Sequence, residues 1–278
     1  MNKTVQLVIW IAVLIMALVA LGFVVYGAVG TKVIGNTHPV ATIELQDYGT
    51  VKVELYPEYA PNTVTNFIRL AEKGFYNGKT LWGKDEISMY FGRDAAGEEV
   101  KPRVSNIRDD ITDDIDYEYA IKGEFLANGF KDNTMKAEKG TVLLIRDDYT
   151  QMVPELKDES YNSGKAQFAI ILGDQTAQIT GMYATFGKVV EGMEVLEKIY
   201  NEAPIKEAEA TDASDSAGTS NADASGVEQF ANYPIISNIT VDKKGIEFGI
   251  PSTIEAFDYQ SYMYELINQY YGGQSANY

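Results

Sequence analysis

The chain has 278 residues, with 40 Asp and Glu against 23 Lys and Arg, a formal net charge of −17, no cysteine and one histidine, His38. The charge argues against nucleic acid as a partner, because phosphate recognition needs clustered Lys and Arg. Without thiols there is no disulfide framework, cysteine nucleophile, iron–sulfur cluster or thiolate zinc site, and one histidine is a poor basis for a Ser-His-Asp triad or a histidine-rich metal site, so no metal and no cofactor is expected.

From Met1 to Gly35 there is no acidic residue, and only Lys3 and Lys32 carry charge. Residues 5–30 form an uncharged apolar run with Trp10 and Tyr26 near its ends. A membrane-spanning helix needs about 20 apolar residues and favours interfacial aromatics, whereas the apolar region of a signal peptide is about 7–15 residues. The expectation is an uncleaved transmembrane anchor over 5–30, a short cytoplasmic end at 1–4 and a linker at 31–39. Because long C-terminal domains cross largely regardless of charge, the acidic remainder is placed outside the cell membrane. Lipid attachment at a processed N-terminus would need a cysteine.

Ala41 to Leu45 and Thr50 to Tyr56 alternate apolar and polar residues around the turn Gln46 to Gly49, which predicts a β-hairpin with one buried face. In Pro61 to Gly74, Val64, Phe67, Ile68 and Ala71 recur at helical spacing and Gly74 supplies a stop. Further strands are predicted at Gly140–Ile145, Gln167–Leu172, Ala184–Val190 and Pro234–Val241, with a second helix from Met193 to about Tyr200. Many short strands with Gly-bearing turns and two helices point to a β-barrel with helical plugs. Glu207 to Gly226 are small, acidic and low in complexity, and 205–230 reads as a disordered loop. After Pro251, Ser252 and Glu255 have capping-box spacing, and Ile254, Phe257, Met263, Leu266, Ile267 and Tyr270 mark an apolar face. An amphipathic helix is expected over 251–271, docked on its own domain or, through its tyrosines, on a protein partner.

Four segments in order, Glu54 to Phe67, Lys73 to Gly78, Gly164 to Phe168 and Phe186 to Val195, resemble the cyclophilin family of peptidyl-prolyl isomerases. The resemblance covers roughly Val40 to Val241, within a domain bounded at 40–245. It implies a mainly β fold, an eight-stranded closed barrel with two capping helices, and cofactor-free rotation of X-Pro bonds in proline-containing polypeptides. Family positions carry over unevenly. The catalytic arginine falls on Gly83, beside Lys84; the pocket phenylalanine falls on Ser88; the methionine is kept as Met89 and the glutamine becomes Phe91. Gln167 and Phe168 are kept, the second phenylalanine becomes Ala169, and the tryptophan, leucine and histidine of the next segment fall on Gln178, Ile179 and Tyr183. The resemblance therefore implies Lys84, as a substitute cation, and Gln167 in catalytic positions, with Met89, Phe91, Phe168, Ala169, Ile179 and Tyr183 lining the substrate site. Arg93 is a second candidate cation, and Lys lacks the planar donor fork of Arg.

A hydrogen bond from a charged donor is worth about 1.5–3 kcal/mol, and each 1.36 kcal/mol is about tenfold in rate, so loss of the arginine implies weak activity. Two insertions, 95–119 and 146–163, depart from the family and are expected to flank the groove. Asp114, Asp116 and Glu118 alternate as in calcium loops but lack the sixth-position glycine, and read as a solvated acidic loop. Two functions follow: a membrane-anchored isomerase that assists folding of exported proteins, or a non-catalytic binding or chaperone module on the same fold.

Overall fold

The computed structural model describes residues 38–112, 115–173, 177–206 and 226–272, all within one compact unit, His38–Tyr278. The expected anchor and cytoplasmic end, nearly all of the linker, and residues 207–225 of the acidic loop lie outside the described residues. Among the described residues no helix is long and apolar enough to cross a membrane.

The first hairpin is β1 (Val40–Leu45) and β2 (Gly49–Leu55). Its period-two pattern buries Ala41, Ile43, Leu45, Val51, Val53 and Leu55 on one face, as strand geometry requires. Helix α1 (Pro61–Glu72) starts on a proline and buries Val64, Phe67, Ile68 and Ala71. Its first-turn N–H groups, which have no partner within the helix, find a distant one, because the buried Glu124 accepts from Asn62 N at 3.0 Å and Thr63 N at 2.8 Å, a stabilising place for a carboxylate. Gly74, with φ of 68°, ends the helix.

Strands β3 (Thr80–Lys84) and β4 (Ser88–Arg93) follow, neither evident from periodicity. The two-residue β5 (Tyr119–Ala120) closes the first insertion; β6 (Thr141–Leu144), helix α2 (Lys157–Tyr161), β7 (Phe168–Ile171), β8 (Thr185–Glu191) and helix α3 (Met193–Glu202) come next. The chain ends with β9 (Glu228–Gln229), β10 (Ile236–Asp242), β11 (Ile254–Glu255) and helix α4 (Tyr259–Gly272).

The main sheet has nine strands in the order β10-β1-β2-β8-β6-β7-β4-β3-β9. This mainly β half-barrel with few helices corrects the expected closed eight-stranded barrel. The two ends meet where Thr80 bridges Ile235, Leu81 N donates to Pro234 O, Ile236 N donates to Lys79 O and Gly78 N donates to Ile236 O. Strand β9, from within the stretch read as a loop, pairs with Gly83 and Lys84 and takes the rest of the β3 edge. The interior is aromatic: Phe168 stacks on Phe91 at 4.8 Å and meets Phe67 edge-on at 5.5 Å.

The C-terminal helix also differs from expectation. Residues 251–258 are extended, with Ile254 and Glu255 paired to Ala120 and Tyr119, and α4 starts at Tyr259. The Asn62 side chain donates to the Ser252 carbonyl and accepts from the Ser252 N–H, and no helix starts there for Ser252 to cap. The carboxylate of Asp258 caps α4 instead, accepting from Ser261 N at 3.0 Å, which is N-cap geometry. Tyr259 stacks on Tyr149 at 4.8 Å, joining this segment to the second insertion.

Candidate functional site

Alternation along the central strands separates two apolar clusters. Val142, Leu144, Met89, Phe91, Phe168 and Ile170 point into the main core, while Leu143, Ala169 and Ile171 form a second cluster with Tyr90, Ile145, Ile179 and Tyr183 packed against it. Register joins Tyr90 to Ala169 and Ala169 to Leu143 across β4, β7 and β6. This cross-strand row floors a groove of about 580 Å³, walled by Trp82, Ser88, Arg93, Arg146, Gln167, Ile179 and Tyr183 among others.

Two β-bulges bring the polar groups to this face. Leu81 pairs with Phe91 and Thr80 with Arg93, leaving Gly92 as the extra residue; Gly83 pairs with Tyr90, leaving Trp82 extra on β3. A bulge resets the facing of the residue next to it, so Trp82 and Arg93 turn to the same side as Tyr90. Gly92 has φ of 106°, and a Cβ there would lie 3.2 Å from Gln167 Cα, so glycine fits on both grounds. The Arg93 guanidinium lies 3.5 Å from the Trp82 ring centroid and donates to Gly97 O at 3.3 Å. The Tyr90 ring packs against Trp82 as well, with centroids 5.2 Å apart. The Trp82 indole N–H is buried with no hydrogen-bond partner.

Asp85 orders the β3–β4 turn by accepting from Ile87 N, Ser88 N and the Tyr90 hydroxyl. Burial and then Asp85 push the Tyr90 phenol well above its ordinary range, so it remains a neutral donor. On the opposite wall Arg146 donates to Met182 O and Asp147 O, with its guanidinium 4.9 Å from the Tyr183 ring and 4.8 Å from that of Tyr161. The Asp148 carboxyl is held below its usual value, first by the Thr150 hydroxyl.

Of the residues the family pattern singles out, Gln167, Ala169, Ile179 and Tyr183 converge on the groove. Met89, Phe91 and Phe168 do not: all three are fully buried in the main core, because strand alternation turns them inward. Lys84 is not among the groove-lining residues either. Its Nζ donates to Tyr200 O at 2.7 Å and sits 4.4 Å from the Tyr200 ring, where a cation satisfies a carbonyl in the last turn of α3. Gly83 faces β9, and a Cβ there would lie 2.7 Å from Val227 Cγ1 and 2.8 Å from Glu228 O. Residues the sequence left out are Trp82, Tyr90, Leu143, Ile145 and Arg146; the one usable signal was Gly92 directly before Arg93. In the first insertion Asp116 accepts from Ser105 N and Arg103 Nε, so this acid fastens the loop to itself.

The sequence profile described as "Cyclophilin type peptidyl-prolyl cis-trans isomerase/CLD" matches residues 40–216. The chain is 29% identical over 168 residues to "Peptidyl-prolyl cis-trans isomerase-like 4" of Neurospora crassa, covering 57% of this chain and 30% of that protein. It is 26% identical over 153 residues to "Peptidyl-prolyl cis-trans isomerase-like 2" of Gibberella zeae, covering 55% and 22%. The chain thus matches less than a third of either relative's length. A solved cyclophilin-type isomerase of Cryptosporidium parvum, crystallised in the presence of the dipeptide Ala-Pro, has a TM-score of 0.48 and 18% identity, covering 73% of this chain and 98% of that one.

Proposed function

This chain belongs to the cyclophilin-type peptidyl-prolyl isomerase family, and from that premise we propose that the groove over Tyr90, Ala169 and Leu143 binds a prolyl residue and rotates the bond before it. Rotation about a peptide bond meets a barrier of about 18–20 kcal/mol, and only an X-Pro bond has two planar forms close in energy. In the twisted transition state amide resonance is lost and the prolyl nitrogen becomes pyramidal and basic. A site accelerates the reaction by holding this form better than either planar one.

The apolar floor receives the proline ring, and Arg93 supplies the donor for the twisted amide. Its guanidinium is clamped against Trp82 and the Gly97 carbonyl, so little reorganisation accompanies the reaction. Gln167, at the entry to β7 and next to Gly92, lines the groove as a second polar contact. The observation that carries this reading is the pair of bulges that turn Trp82 and Arg93 onto the apolar face.

The experiment is two-dimensional exchange NMR on an Ala-Pro peptide with the full chain. Catalysed cis–trans exchange is expected, and Arg93→Ala lowers kcat/KM by about ten- to hundredfold, the worth of one charged hydrogen bond. Absence of exchange in the unmodified chain overturns the reading. A second reading, a binding module without catalysis, is favoured by the packing of Val227 and Glu228 where a side chain at Gly83 would stand; peptide binding without exchange would select it.

The setting is also proposed. The uncharged run over 5–30 supports a single-pass anchor with the acidic domain outside the cell membrane, acting on exported chains. Alkaline extraction together with protease access to intact cells tests this. Exposed Tyr264 and Ile267 on α4 support a protein partner for that helix.

A further inference from the structure

The two acidic insertions meet at one cation. Lys165, between the second insertion and β7, is 8% exposed, and its Nζ lies 2.8 Å from Asp147 Oδ2 and 3.3 Å from Glu99 Oε1. Glu99 belongs to the first insertion and bridges Arg93 through the backbone; Asp147 belongs to the second. Asp147 also accepts the Tyr149 hydroxyl at 2.8 Å, and its N–H donates to Ser163 Oγ at 2.7 Å. The Lys165 carbonyl accepts from the buried Asn66 side chain of α1 at 2.7 Å, which anchors the lysine to the core. Glu99, Asp147 and Gln167 all line the groove.

We propose that Lys165 is a positioning residue that ties both insertions to the walls of the groove and sets the groove's width for peptide. The peptide part rests on the isomerase reading; the clamp itself does not. A nearly water-free ammonium is tolerated only where opposite charges and hydrogen bonds repay its desolvation. Conversely, the two carboxylates converge on that ammonium, and without it their repulsion would push the walls apart. Burial opposes the charged form of Lys165, but Asp147 and Glu99 outweigh it and raise its proton affinity above the ordinary lysine value. A compact ammonium with three donors suits two acceptors on different walls.

The test compares the full chain with Lys165→Met, with Lys165→Arg, and with the triple variant Glu99→Gln/Asp147→Asn/Lys165→Met. Amide hydrogen exchange over residues 97–106 and 146–153 reads the walls independently of catalysis, and kcat and KM on the Ala-Pro peptide read the groove. Lys165→Met is expected to speed exchange in both insertions together by about tenfold, equivalent to roughly 1.4 kcal/mol, and to raise KM more than it lowers kcat. Lys165→Arg and the triple variant are expected to recover most of the protection, which a purely steric role would not allow. The clamp is overturned if Lys165→Met leaves either insertion's exchange unchanged, or if the triple variant is as loose as the single one. Loosened insertions in a chain that never catalyses exchange would uphold the clamp and sink the isomerase reading.

Discussion

On the inward face of β4 and β7, Met89, Phe91, Phe168 and Ile170 are fully buried and the Phe91 and Phe168 rings stack at 4.8 Å. On the outward face the same strands present Ser88, Tyr90, Arg93, Gln167 and Ala169 along a groove of about 580 Å³. The inward residues fill a sealed space, so their size and apolarity are fixed by packing. The outward ones are bounded by loops, so they can change without emptying a core. Of the positions where the sequence reading departs from the family pattern, Ser88 and Ala169 line the outward groove, whereas Phe91 fills the core.

Substitutions can break or sharpen that contrast. Gly83→Arg, which restores the family residue by alignment, is expected to give the largest effect. The new side chain meets Val227 and the Glu228 backbone, and overpacking of this kind costs about 1–3 kcal/mol or more. The expected outcome is a lower melting temperature with no gain of isomerase activity; a gain would show that β9 yields and that the groove centres on position 83. Ala169→Phe sits in the middle of the floor row between Tyr90 and Leu143. It fills the groove, so peptide affinity is expected to fall several-fold in an NMR titration with little change in melting, and tighter binding would argue that the floor is too open as it stands. Lys84→Ala is expected to do least. It removes a half-buried contact with the α3 carbonyl of Tyr200, so solvent screening keeps the cost below the roughly 1.5–3 kcal/mol of a hydrogen bond from a charged donor, and it leaves kcat/KM unchanged. A clear loss of activity at constant stability would return Lys84 to the site.

Where alternation was regular the sequence was easily read. The β1–β2 hairpin and α1 follow from Ile43, Val51, Val53, Phe67 and Ile68 alone, because one residue faces the core for each repeat. Strands β3 and β4 escaped because their bulges at Trp82 and Gly92 break period two where the site is built. The C-terminal segment misled for another reason: Ser252 and Glu255 have the spacing of a capping box, yet Asn62 holds the Ser252 backbone and the strand pairing of Ile254 and Glu255 with Ala120 and Tyr119 takes the place of a helix. Capping by Asp258 was equally written in the chain, three residues before Ser261. The site was legible at the level of segments and only in part at the level of faces. The family pattern implied Gln167, Ala169, Ile179 and Tyr183 together with Met89, Phe91 and Phe168; strand alternation, which sends successive side chains to opposite faces, turns the last three into the core and sets Tyr90 beside Ala169 on the groove.

Intermolecular NOEs from the prolyl ring of a bound Ala-Pro peptide to the full chain test most directly whether the outward face is the functional one. Contacts to the methyl and ring protons of Leu143, Ala169, Ile179, Tyr90 and Tyr183 are predicted, with the Arg93 Nε resonance shifting on binding. Contacts confined to the α4 surface, or to the cavity beside Asn62 and Phe130, would contradict the account.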